Sequence, residues 1–518
     1  VLAGGVASGD CSGNRAAQMT STEGKPAHLG LITASIMLAT IMQALDTTIA
    51  NVALPHMQGS LSATQDQISW VLTSYIVAAA IMTPPTGFLA ARFGRKRLFA
   101  TMVTGFTIAS MLCGAATSLE QIVVFRLLQG IFGAGLVPLS QAVLLDSYPK
   151  EKHGSAMALW GVGVMVGPIL GPTLGGYLTE YYNWRWVFYI NLPFGMLALA
   201  GILTVVPETV RNLDRRFDIF GFALLSLAIG ALQMMLDRGE SQDWFSSTEI
   251  IVETVIAALC FYMFLVQMFT AKNPFIEPGL FKDRNFAAGL VVIFMVGIIL
   301  LATLALLPPF LQSLMGYPVL TTGYILAPRG IGTMVAMIIV GRLNGRIDAR
   351  ALILLGICLI SVSLYEMSTF TVDIPMATLI WTGIIQGFGL GFIFVPLSTV
   401  AFSTLNAKYR NEGTAMFSLM RNIGSSIGIS VVVTLLAQNT QINHANIGEL
   451  MNPFREMMHQ PLLPQSWDWH TTSGLAALNG EVTRQATTIG YLNNFIFMMW
   501  ITLAAIPMLF LIRPKRKQ

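Results

Sequence analysis

Residues 29–54 read LGLITASIMLATIMQALDTTIANVAL, an apolar run long enough to span a bilayer and interrupted by one charge, Asp46. An acid at membrane depth costs about 2.5–3.5 kcal/mol on insertion scales, so it marks either a working site or a fixed structural ion pair. Burial favours the protonated form of a carboxyl group, and a neighbouring cation favours the ionised form. A group balanced between the two can load a proton from one side of a membrane and release it to the other. Gln43, one turn earlier, and Asn51 extend a polar path along the same predicted helix.

The rest of the chain repeats the apolar pattern. Of its 518 residues, 54% are hydrophobic and 11% charged, against about 25% charged in soluble globular proteins. Apolar runs of about 20 residues recur evenly and give fourteen predicted spans, the first at 29–53 and the last three at 376–401, 413–437 and 490–512. The net charge of +4 does not point to nucleic acid, because the positive residues sit in short loops, where a membrane protein needs them for orientation. Of 30 Lys and Arg residues, three fall inside spans (Arg126, Arg329, Arg421), four in the loops of one side and 23 on the other. Dense clusters lie at Arg92–Arg97, Arg211–Arg216, Arg342–Arg350 and Arg513–Lys517. The positive-inside rule places that side and both termini in the cytoplasm, and such clean segregation needs an even number of spans. The expected class is an all-α polytopic membrane protein surrounded by lipid.

Three of the four cysteines, Cys113, Cys260 and Cys358, lie in apolar runs and read as small buried hydrophobes; the fourth is Cys11. Their spacing suits neither a metal nor a disulfide framework. Residues 1–18 have neither an initiator methionine nor the apolar core of a signal peptide, and Met19 is read as the natural start.

The chain is also duplicated. QGIFGAG (129–135) followed by PLS (138–140) recurs as QGFGLG (386–391) followed by PLS (396–398). GSAM (154–157) recurs as GTAM (413–416), and Gly87, Arg92, Gly94 and Arg95 have a looser echo in Gly341, Arg342, Gly345 and Arg346. The three matches share an offset of roughly 255 residues, so one duplication explains them. The expected organisation is a tail (1–28), a six-span half (29–207), two inserted spans with linkers (208–285) and a second six-span half (286–518). Parallel six-span halves are the architecture of a large class of secondary transporters, with the site at mid-membrane between them. The second half carries a long polar outer loop, 438–489, with Trp467 and Trp469 and a segment, 473–488, patterned like a short amphipathic helix. That loop suits either a partner protein or an ordered cap.

Soluble catalytic apparatus is missing from the sequence. It has no G-x-x-x-x-G-K-[ST] phosphate loop, no H-E-x-x-H and no Cys/His ligand cluster, so no enzyme, metal site or resident cofactor is expected. A proton gradient is the expected energy source. Arg126, about five residues into the fourth span, matches Asp46 in depth and shares a face with Gln129 by i, i+3 spacing. It is read as the partner of Asp46, the alternative being an arginine that snorkels to an interface. Gln129 with its repeat Gln386, together with Arg421, Asn422 and Arg329, are candidates for cavity walls. Arg421 suits an anionic substrate group or a carboxylate of the protein itself. Glu253 and Glu366 lie near outer span ends, where structural roles fit best.

The fifth span, GVGVMVGPILGPTLGG (161–176), holds two prolines that each remove a backbone donor. A bend is expected there, with Gly163, Gly167, Pro168, Gly171, Pro172, Gly175 and Gly176 as the hinge. Small residues four apart also allow close helix packing with no gating role.

Together these stretches resemble the major facilitator superfamily, in particular its fourteen-span drug:proton antiporters of the EmrB/QacA type, from about Leu29 to the C-terminus. LDTTIANVALP (45–55) is similar to their first-span motif, and GFLAARFGRKR (87–97) resembles the superfamily loop between spans two and three. Arg126 with Gln129 and Gly130 resembles the span-four motif implicated in proton transfer. The Gly167-Pro168 span is similar to the motif of antiporters rather than symporters, and WRWVFYINLP (184–193) and DRGESQDW (237–244) are further family-like stretches. The resemblance implies two six-helix bundles plus two extra helices. It implies a proton-coupled multidrug efflux antiporter of the bacterial inner membrane, exporting hydrophobic or amphipathic compounds by alternating access, with Asp46 and Arg126 coupling the proton. Alternatives are a dedicated exporter of one metabolite (a fatty acid or siderophore), a proton-coupled importer, or a non-transporting receptor or assembly component. EmrB-like members work with a periplasmic adaptor and an outer-membrane channel, a partnership the outer loop permits. One departure is Ala91, where the loop motif usually has an acid; the latch that acid makes between the halves is not expected here.

Overall fold

A computed structural model describes residues 29–209, 211, 217–343, 346–451, 467 and 471–512. The predicted tail, Arg215, Arg216, Gly345, Trp469 and the basic cluster at 513–517 lie outside the described residues. Among the described residues, thirteen helices are long and apolar enough to cross a membrane, and one bent pair makes a fourteenth crossing. In order these are α1 (Leu29–Ser60), α2 (Gln65–Met82 and Pro85–Phe93), α3 (Arg95–Ala115), α4 (Leu119–Gly133 and Leu136–Ser147), α5 (His153–Tyr181), α6 (Trp186–Val205) and α7 (Ile219–Arg238). They continue as α8 (Thr248–Thr270), α9 (Arg284–Leu314), α10 (Val319–Leu343), α11 (Ala349–Met367), α12 (Met376–Ser403), α13 (Arg410–Leu450) and α14 (Thr472–Ala504).

Polar residues set where several of these apolar runs begin, because the first turn of a helix has backbone donors without intrahelical partners. Thr64 and Gln67 make a reciprocal capping box on α2. Ser118 caps α4, Asp218 caps α7, Asp283 caps α9, Asp348 caps α11 and Thr471 caps α14.

The two sets of six helices pack in parallel fashion. α1 lies against α5 and α6, α2 against α4, and α3 against α4 and α6; further on, α9 lies against α13, α10 and α11 against α12, and α13 against α14. α5 and α10 join the sets as an antiparallel pair, with Ala158 against Gly341, Gly161 against Met337 and Ile169 against Gly330. α7 and α8 pair with each other, and α7 also packs on both α2 and α13. The loop that follows α7 adds a hydrogen bond from Trp244 Nε1 to Thr434 Oγ1 of α13 at 3.0 Å.

A sharp bend falls in α2. Pro84 and Pro85 are adjacent, withhold two consecutive donors, and bend α2 by 57°. α5 instead runs as one unbroken helix through Pro168 and Pro172. Four of the glycines read as its hinge form a stripe pressed on α1: Gly163 on Met37, Gly167 on the Ala44 backbone, Gly171 on Thr48 and Gly175 on Ile49. Thr48 Oγ1 donates across this contact to the Gly167 carbonyl at 3.0 Å. The backbones approach this closely because the stripe has no Cβ atoms. Gly176 is off the stripe and faces open space.

The outer loop at 438–489 is also revised. α13 continues to Leu450 and α14 begins at Thr472, so the segment expected as a separate amphipathic helix is continuous with the last crossing. α13 has 41 residues, about 60 Å of helix against a hydrocarbon core of about 30 Å. A hydropathy reading ends a span where polar residues begin, but the helix continues into water. The two extensions pair, with His444 Nε2 and Asn479 Oδ1 3.1 Å apart.

Candidate functional site

Asp46 is fully buried inside the first set of helices and reached by three donors from two other helices. Arg126 Nη1 of α4 donates to its Oδ2 at 2.7 Å. Gln129 Nε2, one turn further along α4, donates to Oδ1 at 2.8 Å, and Asn191 Nδ2 of α6 donates to the same oxygen at 2.9 Å. The cation is held as closely. Arg126 Nη1 also donates to Gln129 Oε1 at 2.8 Å, and Nε to the Val71 carbonyl at 3.1 Å. Its guanidinium carbon lies 4.2 Å from the centre of the Tyr75 ring and 5.7 Å from that of Phe188. Both charges are desolvated (1% and 0% exposed), so each depends on the other and on neutral donors around the pair.

The spacing of Arg126 and Gln129 therefore delivers two groups to one carboxylate. Asn191 went unread as a site residue, although it lies in one of the family-like stretches. Its usable signal is a polar side chain opening an otherwise apolar helix. It also ties Asp46 to α3 through Ser110 Oγ, 2.9 Å away, and Ser110 Oγ in turn donates to the Phe188 carbonyl at 2.9 Å. Phe188 lies in the same stretch, and Tyr75 carried no signal beyond its apolar context.

Other candidates lie outside this cluster. Gln43 is half-buried and donates to Tyr75 Oη at 3.3 Å, so it reaches the cation's cradle and not Asp46. Asn51 is exposed and bonds back to the Thr47 carbonyl at 3.4 Å. Gln386 is buried and donates to Thr303 Oγ1 at 3.3 Å in the second set of helices. Arg421 and Asn422 are half-buried on α13, and Arg329 is buried on α10.

The loop-motif residues build a second cluster, where the two sets of helices meet. Gly87 lies against the backbone of Glu412 in α13, closer than a Cβ would allow. Gly94, between α2 and α3, has φ +91°, a backbone conformation that suits glycine. Arg92 is half-buried in the last turn of α2. Arg95 is 6% exposed; it pairs with Asp146 at the end of α4 and donates from Nη2 to Asn411 Oδ1 of α13 at 2.6 Å. Arg410 of α13 pairs with the same Asp146. Asp146, held between two guanidinium groups, makes an ion-pair connection between the sets.

The sequence profile of the Major Facilitator Superfamily matches residues 36–429. The chain belongs to that superfamily. This facilitator is 38% identical to the multidrug export protein EmrB of Escherichia coli K12 over 478 residues, covering 91% of its own length and 93% of the relative's. It is 37% identical to the fatty acid resistance protein FarB of Neisseria gonorrhoeae, covering 95% and 97% of the two chains. Its fold is that of the proton:xylose symporter XylE, with a TM-score of 0.61 at 12% identity over 93% of this chain and 97% of that one. The human organic anion transporter MFSD10 superposes with a TM-score of 0.58 at 14% identity, over 91% and 99% of the chains. The facilitator fold places the Asp46 cluster inside one bundle and the Asp146 cluster at the seam between bundles.

Proposed function

We propose that this protein exports hydrophobic or amphipathic compounds of varied structure across a bacterial inner membrane, in exchange for protons, by alternating access. The observation that carries the reading is the buried Asp46 carboxylate with its Arg126 partner, on a chain 38% identical to a multidrug export protein. Asp46 takes a proton from outside as substrate leaves and gives it to the cytoplasm as the transporter resets. Arg126, Gln129 and Asn191 stabilise the ionised form between those events. Protonation removes the negative charge that holds Arg126, and the loosened cation is the mechanical signal to α4. Positive-inside orientation puts the Arg95 and Arg410 cluster in the cytoplasm, together with both termini. On that orientation, the contacts through Asp146 close the cytoplasmic side. The paired extensions of α13 and α14 then project outward and offer an adaptor protein a helical surface.

A second reading, dedicated export of fatty acids, is favoured by the 37% identity to the fatty acid resistance protein. Reconstituted protein challenged with chemically unrelated dyes and drugs separates the two. Mutual competition among them supports multidrug export; transport restricted to one acid contradicts it. A protein that binds ligand and never transports it contradicts both.

A further inference from the structure

Asp46 and Gln129 have counterparts 257 residues further on, Thr303 and Gln386, and these two also meet, Gln386 Nε2 donating to Thr303 Oγ1 at 3.3 Å. The corresponding counterpart of Arg126 is Gly383. The second bundle has thus lost both charges of the pair. A different cation lies over Gly383: a Cβ built on that glycine would stand 3.6 Å from the Cβ of Arg329 in α10.

Arg329 is 4% exposed. Its Nη2 donates to the Leu300 carbonyl at 3.4 Å, and its Nη1 is buried with no hydrogen-bond partner. Among the described residues no acid pairs with it. It lines a cavity of about 10 Å³, room for about one water-sized species, walled by Leu307, Leu311, Ile325, Leu326, Phe370 and Leu379. A guanidinium stays charged at any pH a protein meets, and a charge in such surroundings calls for one of opposite sign.

We infer that Arg329 holds a monovalent anion, which takes the role in the second bundle that the Asp46 carboxylate has in the first. Two sources share this chemistry. One is a dissolved halide, which needs only a small widening of the water-sized cavity. The other is the acid end of an exported amphiphile, its tail along the apolar wall after that wall parts. Phe370 lines both the cavity and a groove of about 480 Å³ at the turn between α11 and α12, the route by which an amphiphile would reach the cavity.

Binding is read without transport, so the site stands or falls apart from proton-coupled export. Purified protein in nanodiscs is held at constant ionic strength with gluconate, which is too large and too hydrated to enter. Bromide is titrated in one arm and decanoate, below its micellar concentration, in the other, and the thermal midpoint is followed. Arg329→Gln is compared with Lys272→Gln, which removes an equal charge at an exposed position. The wild type and Lys272→Gln are expected to show a saturable rise of about 1–3 °C, and Arg329→Gln none. A response to bromide identifies a halide, and a response to decanoate alone identifies the acid of an amphiphile. A flat wild-type titration in both arms overturns the site, and a rise that survives in Arg329→Gln overturns its assignment to Arg329. If Arg329→Gln does not fold, Arg329→Lys replaces it; loss or weakening of the rise supports the assignment, and an unchanged rise overturns it.

Discussion

Asn191 and Asp46 stand 145 residues apart in the chain and 2.9 Å apart in the fold, Nδ2 donating to Oδ1. This bond joins α6 to α1 and α4 at the one buried carboxylate of the first bundle's proposed proton site. A hydrogen bond to a charged group contributes about 1.5–3 kcal/mol, so Asn191→Ala is expected to lower gradient-driven transport by roughly tenfold or more. Asn191→Asp is expected to be worse, because it places a second acid beside Asp46. Initial rates of uptake into inverted vesicles, normalised to folded protein, check both.

Removing one partner of the buried pair leaves an uncompensated charge. Arg126→Leu is expected to destabilise the protein by about 3–5 kcal/mol, seen as loss of monodisperse protein after extraction. Adding Asp46→Asn to Arg126→Leu is expected to restore much of the folded yield and none of the coupled transport. Fluorescence-detected size exclusion with a parallel flux assay separates the two effects. Equal yields from the single and double variants would show that the two charges are energetically independent.

The stripe of glycines on α5 is expected to tolerate no side chain. Gly167→Val forces a branched side chain into the Ala44 backbone, and overpacking of this kind costs about 1–3 kcal/mol or more. Gly176→Val, which meets open space, is expected to leave the thermal midpoint within about a degree of wild type. The comparison tests close packing directly, because a loss of similar size in both variants would remove the special status of the stripe.

Asp146 connects the bundles by meeting Arg95 and Arg410 together. Asp146→Asn is expected to widen the distance between spin labels placed on either side of this seam, at Lys96 and Lys408. Double electron–electron resonance reports the distribution. An unchanged distribution would mean that the seam is held by helix packing such as Gly87 on Glu412 without need of the ion pairs.

Much of this organisation was legible in the sequence because lipid imposes a simple rule: each crossing needs a long apolar run, and positive loops gather on one side. Fourteen crossings followed from that rule, and the i, i+3 pair Arg126 and Gln129 followed from helical periodicity. Asn191 could not be placed on Asp46, since contact between α6 and α1 is a matter of tertiary packing. The close packing of α5 on α1 was hidden for the same reason. Prolines alone argue for a bend, and only the fit of Gly163, Gly167, Gly171 and Gly175 against α1 shows that those positions are a packing surface. The Asp146 cluster was hidden because Asp146 lies on α4 and its partners on α3 and α13, elements far apart in the chain. Hydropathy also ended α13 too soon and began α14 too late, since it detects lipid contact and not helix.

Substrate flux in inverted vesicles, driven by an imposed pH gradient, tests the proposed role of Asp46 most directly. Wild type is expected to accumulate substrate in proportion to the gradient. Asp46→Asn, which keeps the shape of the side chain and cannot carry the proton, is expected to bind substrate and show no gradient-driven accumulation. Accumulation at the wild-type rate in Asp46→Asn would contradict proton coupling through this carboxylate.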